Sequence, residues 1–356
     1  MRTFFLSLIN LGIGTIKVVS LPKQIDWNYL EGLAARQGLS AILVDGVEKL
    51  PEDKRPPKEM LLQWIGEVLQ IENNQAVQWK SQCELALLLR DNEIKSYVLK
   101  GVVISECYPN PTHRQSVDMD CFLKSFQDCS DAWEKGNKII EERGFKVEGR
   151  YYKNSTWFIP GLTVENHRFI TPFRGNNTLK KLERLLQTML LEDNADDRIE
   201  GTWLFRPPVM FSALFLIEHA YSHFLHEGLT WRHVLDWMMF SYKHHDAIDW
   251  DLLNNWVDEY GFRRFYDSFL KLGKYLMGEI SEEGLTSVDK IMLEDVWAKL
   301  DIHDTVRGLK GKLALAGNTW RARWKYQYFT EMSWIRALWI QVKGFLFMRH
   351  PKLNYI

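Results

Sequence analysis

The stretch YVLKGVVISECYPNPTHRQSVDMDCFL, residues 97–123, joins two apolar runs through a loop and ends in two aspartates one residue apart, Asp118 and Asp120. In an extended strand, side chains two apart leave the same face, so the two carboxylates would lie side by side, about 6 to 7 Å apart along the strand, with Met119 facing a core. Two carboxylates on one face stay ionised at low cost only beside a cation, and hard oxygen ligands suit Mg²⁺, which binds through one or two carboxylates plus phosphate oxygens. Asp-x-Asp alone recurs by chance, mostly in solvated turns; the context makes it informative.

Ahead of the aspartates, the buried-strand-like Tyr97, Val98 and Leu99 lead into Lys100-Gly101 and the apolar Val102, Val103 and Ile104. Glycine lets a backbone approach a ligand closely, and a helix starting there would aim N–H groups at phosphate. Residues 109–114, PNPTHR, form a loop because their prolines forbid regular structure, and Arg114 is placed to reach an anion.

Strand, Lys-Gly, short helix, Tyr-Pro-x-Pro-x-x-Arg and Asp-x-Asp together resemble the uncharacterised nucleotidyltransferase family of the polymerase-beta-like superfamily. The resemblance implies a glycine-containing turn after the first strand, a metal-binding Asp-x-Asp on the next, and a third carboxylate on a later strand. Lys100-Gly101 stands where many relatives have Gly-Ser, a departure shared by this family. One usual phosphate contact is then missing, and Lys100 would substitute as a point charge. In residues 162–169, Thr163, Glu165 and His167 alternate with Val164, so Glu165 and His167 share a face. The family tends to place an acid and a histidine two apart on such a strand, which makes Glu165 the candidate third carboxylate; a solvated edge strand is the competing reading. The resemblance also includes a histidine-bearing helix followed by a Gly-Leu-x-x-Arg-x-x-x-Asp segment, here Gly228, Leu229, Arg232 and Asp236.

The 356 residues are 46% hydrophobic, enough for a substantial core in two or three subdomains. The expected division is an N-terminal helical region, 1–91, a nucleotidyltransferase-like core, 92–176, and a C-terminal helical region, 177–356. The fold class is α+β, a small mixed-sheet core embedded in a mostly helical protein. A net charge of −1 indicates no general nucleic-acid affinity. Cys83, Cys107, Cys121 and Cys129 show neither zinc-like spacing nor a disulfide framework, which fits reduced thiols and a cytoplasmic location. The apolar run of residues 4–13 imitates a secretory leader but lacks a small-residue cleavage site before Lys17, so a packed helix is expected. Gly12 and Gly14 make a lone GxG and no dinucleotide motif.

Residues 26–50 read as two helices broken near Gly38, with Ser40 capping the second. A long helix follows Pro57, with Leu61, Leu62, Ile65, Val68, Leu69 and Ile71 at helical spacing. Helices are expected at 126–143, 179–191, after Pro207-Pro208, and at 230–242, 249–260 and 263–276, with strands at 145–147, 157–159 and 162–169. His219, His223 and His226 fall on one stripe of a helix, compatible with metal binding, with phosphate contact or with packing. The sequence is not HExxH, so no metalloprotease is indicated. Residues 301–356 carry ten lysines and arginines against three acids, a net of +7, interleaved with Trp320, Trp324, Tyr326, Tyr328, Trp334 and Trp339. That mixture suits an acidic partner, an anionic membrane surface or a nucleic acid; an amphipathic helix packed on the protein is the preferred reading.

The resemblance implies a metal-dependent enzyme that moves an NMP from an NTP to a hydroxyl acceptor and releases pyrophosphate. Asp118, Asp120 and Glu165 would hold Mg²⁺ or Mn²⁺, and Glu165 would help deprotonate the acceptor. Lys100, the Gly101 backbone and Arg114 would bind the triphosphate, with His167, His219, His223, Arg232 and Asp236 as accessory residues. Removing either aspartate should leave the fold intact or stabilised by relieving like-charge repulsion. The alternatives are a non-catalytic nucleotide-binding or regulatory module, and a helical interaction protein that uses its basic aromatic C-terminus. The acceptor is not legible in the sequence.

Overall fold

The apolar runs on either side of the Lys100-Gly101 turn become neighbouring strands. β1 (Ile94–Val98) and β2 (Met119–Ser125) pair antiparallel, with Tyr97 opposite Phe122 and Val98 opposite Cys121. The computed structural model describes residues 1–126, 131–149, 153–171, 176–298, 320 and 322–339. Among these, β3 (Lys146–Glu148), β4 (Asn154–Ile159), β5 (Leu162–His167) and β6 (Leu204–Phe205) complete a 6-stranded sheet in the order β3-β4-β5-β2-β1-β6. β2–β5 and β1–β6 are parallel and the other pairs antiparallel, so the sheet is mixed, and with its helices the fold is α+β as expected.

The pleat sorts the strands into two faces. Met119, Cys121 and Leu123 of β2, Val164 of β5 and Trp157 of β4 are buried together with Leu85, Ala86 and Leu89 of α4 (Lys58–Asp91) and Ile139 and Ile140 of α6 (Ala132–Glu142). Asp120, Glu165 and His167 therefore occupy the other face. α6 starts at Asp131, whose carboxylate accepts the Glu134 N–H. It is fastened to the sheet by Asn137, whose Oδ1 accepts from Ser155 Oγ at 2.6 Å, Trp157 Nε1 at 2.7 Å and Asn166 Nδ2 at 3.2 Å.

The sheet and the N-terminal helices form one of two compact units, Met1–Ile170 with Met189–Ser212. α1 (Arg2–Ile13) crosses α3 (Ser40–Glu48) at Gly12 and Gly46, where a Cβ on Gly46 would drive into the Leu8 carbonyl. Lys49 Nζ reaches the carbonyls of Leu11 and Gly12 at 2.8 and 2.7 Å, satisfying the C-terminal end of α1. α2 (Trp27–Gln37) is capped by Asp26 and ends at Gly38. Ser40 does not cap α3: Leu39 holds the N-cap position and no side chain bonds there. The 34-residue α4 is buried near Trp64 and Val68 and again from Gln82 to Leu89, while Leu62 and Leu69, expected inward, are exposed. A helix about 50 Å long outreaches the elements available to cover it.

The other unit, Thr171–Thr188 with Ala213–Ile356, is helical. It comprises the start of α7 (Asn177–Leu191), most of α8 (Val209–His226), α9 (Trp231–Lys243), α10 (Trp250–Glu259), α11 (Arg263–Leu276), α12 (Ser287–Trp297) and α13 (Arg323–Phe329). Trp231, Trp237, Phe265, Phe269 and Leu272 are among its fully buried side chains. Most of the basic C-terminal region lies outside the described residues. Within it, Tyr326 and Phe329 are buried, and Lys325 is bound to Asp295 at 2.7 Å and the Phe224 carbonyl at 2.7 Å, whereas Trp320 and Trp339 are exposed. Cys83, Cys107 and Cys121 are not joined in a disulfide; Cys129 lies outside the described residues. Among the described residues no helix is long and apolar enough to cross a membrane.

Candidate active site

Strand register builds the site. Asp120 in β2 lies directly opposite Glu165 in the parallel β5, and His167 lies opposite Phe122, on the same face. Asp118 immediately precedes β2. The side-chain donors of Asp120, Glu165 and His167 lie within 4.8 Å of one another. Asn154, on the neighbouring β4, donates to Glu165 Oε2 at 2.8 Å and holds that carboxylate in place. Nothing local marks Asn154 for this role, which depends on the β4–β5 register.

His167 is 2% exposed, and both ring nitrogens face acceptors: Nε2 is 2.9 Å from Asp120 Oδ1, and Nδ1 is 3.2 Å from the Phe169 carbonyl. A ring with acceptors on both sides satisfies both only as the imidazolium. Burial alone would lower its pKa, but the carboxylates of Asp120 and Glu165 outweigh burial and raise it.

Lys100 brings a second cation. Its Nζ is 2.9 Å from Asp120 Oδ2 and 4.0 Å from Asp118 Oδ1. Burial opposes its charge, and Asp120 and Asp118 more than restore it, holding the ammonium pKa above its ordinary value. Asp120 is the mirror case: burial favours protonation, yet Lys100 and His167 hold the carboxyl well below the usual carboxylate range. Glu165, approached by the His167 imidazole at 3.6 Å, is also lowered, against burial and the Asp120 charge.

Asp120 Oδ1 is thus engaged by His167, while Oδ2 is buried and makes no aligned hydrogen bond. The Lys100 contact to Oδ2 is an ion pair by distance and not a well-directed hydrogen bond. A buried carboxylate oxygen with an open lone pair, beside a second carboxylate, fits a hard divalent cation. Asp118 is partly exposed and stands across Lys100 from this group.

Gly101 sits at φ 68, ψ −120, a conformation that a side chain would strain, and a Cβ there would meet Ser116 Oγ at 3.5 Å. The helix it opens, α5 (Val102–Ser105), is four residues long, so the expected phosphate-binding helix N-terminus shrinks to a single turn with little aligned dipole. Arg114 is buried, 5% exposed, at the end of the turn of residues 111–113. Beside it, His113 bridges Asp45 of α3 at 2.7 Å and Glu72 of α4 at 3.0 Å, fixing the loop before β2 to the N-terminal helices.

His219 and His223 on α8 and Arg232 and Asp236 on α9 belong to the helical unit, where Asp236 is buried. The residues around Asp120 all belong to the sheet-bearing unit.

No curated protein and no solved structure matches the chain. The family model described as "Uncharacterised nucleotidyltransferase" matches residues 23–278, which include Lys100-Gly101, Asp118, Asp120, Glu165 and His167 as well as the histidines of α8. The chain belongs to this nucleotidyltransferase family.

Proposed function

We propose that the protein is a metal-dependent nucleotidyltransferase that moves an NMP from an NTP to a hydroxyl acceptor with release of pyrophosphate, using Asp118, Asp120 and Glu165. The observation that carries this reading is the register-fixed pairing of Asp120 with Glu165, in which the buried Asp120 Oδ2 is partnered by the Lys100 ammonium at 2.9 Å, a cation in the position an ion would take. Mg²⁺ or Mn²⁺ held there would neutralise the triphosphate and polarise the α-phosphoryl group.

The chain's own groups divide the remaining work. His167 donates to Asp120 Oδ1 and leaves the buried Oδ2, beside Lys100, for the ion. Asn154 likewise donates to Glu165, whose second oxygen is left to accept the acceptor's hydroxyl proton. Lys100, now on the aspartates, can swing to the triphosphate as its point charge, a role it takes from the serine common in other relatives. The Gly101 backbone lets phosphate approach closely, and Arg114 supplies further positive charge beside the loop.

One observation favours a second reading. Lys100 and His167 already compensate Asp120 and Glu165, as in a site that binds nucleotide without turning it over. Pyrophosphate release from each NTP in the presence of Mg²⁺ or Mn²⁺, with an acceptor screen, decides between them. Release that disappears in Asp118→Asn and Asp120→Asn supports transfer. Metal-dependent NTP binding without release under every acceptor supports the binding module.

A further inference from the structure

The helical unit holds a second group with metal-ligand chemistry, built from nitrogen and distinct from the carboxylates of the sheet. His219 and His223 are one helical turn apart on α8, and α9 brings His233 against them. Ring centroids are 4.4 Å apart for His219–His223, 4.7 Å for His223–His233 and 5.9 Å for His219–His233. One nitrogen from each ring lies within 4.8 Å of the others. Tetrahedral Zn–N bonds of about 2.05 Å put ligand nitrogens about 3.3 Å apart, so small side-chain rotations close the set.

The outward nitrogens are braced. His223 Nδ1 lies 3.0 Å from Glu227 Oε2, so Nδ1 carries the proton and Nε2 presents its lone pair, the carboxylate–histidine arrangement that orients metal ligands. His233 Nδ1 accepts the Thr230 N–H at 3.2 Å in the capping box of α9 and lies 2.7 Å from Thr230 Oγ1, so binding an ion through Nε2 would move the ring proton to Nδ1, which would then donate to Thr230 Oγ1. All three histidines are partly exposed, so an ion has a way in. The sequence stripe of His219, His223 and His226 contained two of these ligands. The third is His233, which only the α8–α9 packing brings near.

We propose that His219, His223 and His233 form a binding site for one divalent transition metal ion of the zinc class, with a coordination position left for water or another oxygen or nitrogen ligand. Imidazole donors select such ions over Mg²⁺, whereas the Asp120 group, rich in carboxylate oxygen, selects the reverse. One chain would therefore sort two kinds of ion into two sites.

The test is a Co²⁺ titration of the full-length, chelator-stripped protein in excess Mg²⁺, followed by visible absorption. The expected result is one equivalent of Co²⁺ giving the intense band of four-coordinate cobalt, displaced by Zn²⁺. His223→Ala and His219→Ala should each abolish the band or weaken binding at least about tenfold, and Glu227→Gln should weaken it by about tenfold or more. Asp120→Asn should leave it unchanged. Circular dichroism checks that each variant is folded, and His223→Gln, at a partly exposed position, replaces any alanine variant that is not. No band in the wild type overturns the proposal. So does a band that survives both histidine variants, or one lost in Asp120→Asn and kept in His223→Ala.

Discussion

Asp118 and Asp120 look equivalent in sequence, yet their surroundings assign them different stabilities. Asp120 is buried between Lys100 and His167, and removing its charge leaves a buried and a partly buried cation short of a partner. Asp120→Asn is expected to lower stability by about 3 kcal/mol, the scale for breaking a buried ion pair. Asp118, partly exposed and 4.0 Å from Lys100, should change stability by less than about 0.5 kcal/mol as Asp118→Asn. Urea melts of the two variants check this difference, which replaces the relief of repulsion expected from the sequence for either residue. Lys100→Ala should tighten Mg²⁺ binding, by removing a tethered competitor for the carboxylates, while weakening NTP binding; calorimetric titration of each ligand reads the opposite signs. The sequence made the shared face of Glu165 and His167 legible because strands have period two. It could not show Lys100 leaning back onto the aspartates, because a side chain's direction out of a turn follows from tertiary contacts.

At the scale of elements, three joints carry testable consequences. Asn137 accepts from three buried donors, so Asn137→Leu strands Ser155 Oγ and Trp157 Nε1, leaves Asn166 Nδ2 only the Trp133 carbonyl, and should cost at least about 2 kcal/mol in a denaturant melt. Gly46→Ala forces α1 away from α3 and should cost about 1–3 kcal/mol with no change in the metal affinity of the Asp120 group. His113 ties α3, α4 and the loop before β2. Burial would lower its pKa, but Asp45 and Glu72 prevail and raise it. Its contribution is therefore full below its unfolded value of about 6.5 and is lost as pH rises through the higher folded value. His113→Gln should flatten the fall in melting temperature on the alkaline side of pH 6.5 and leave the rest of the profile similar. Most helices and strands were legible from periodicity and from punctuation such as Gly38 and Pro207-Pro208, whereas α12 was not. The two-residue β6 was not, since it is too short to show a pattern and exists only by pairing with β1.

At the scale of the whole molecule, the family match spans residues 23–278 and so reaches into both compact units. The α+β class was legible because a strand-rich stretch with tight turns sits between long amphipathic segments. The way the chain clusters was not. Residues 189–212 return to the sheet-bearing unit after the chain has left it, and local sequence carries no mark of that return.

The β2–β5 pairing also bears on how the site comes into being. Asp120 and Glu165 are neighbours in space only after a long segment, including α6 and the β3–β4 hairpin, has been organised between them. Closing such a loop is slow and entropically costly compared with forming a helix, and nothing local rewards it in advance. The carboxylate pair is therefore absent from any nascent chain that has not yet emerged past residue 167. An ion bridging the two strands, as proposed, would act as a reversible clasp on a late-forming contact, slowing its opening more than it speeds its closing.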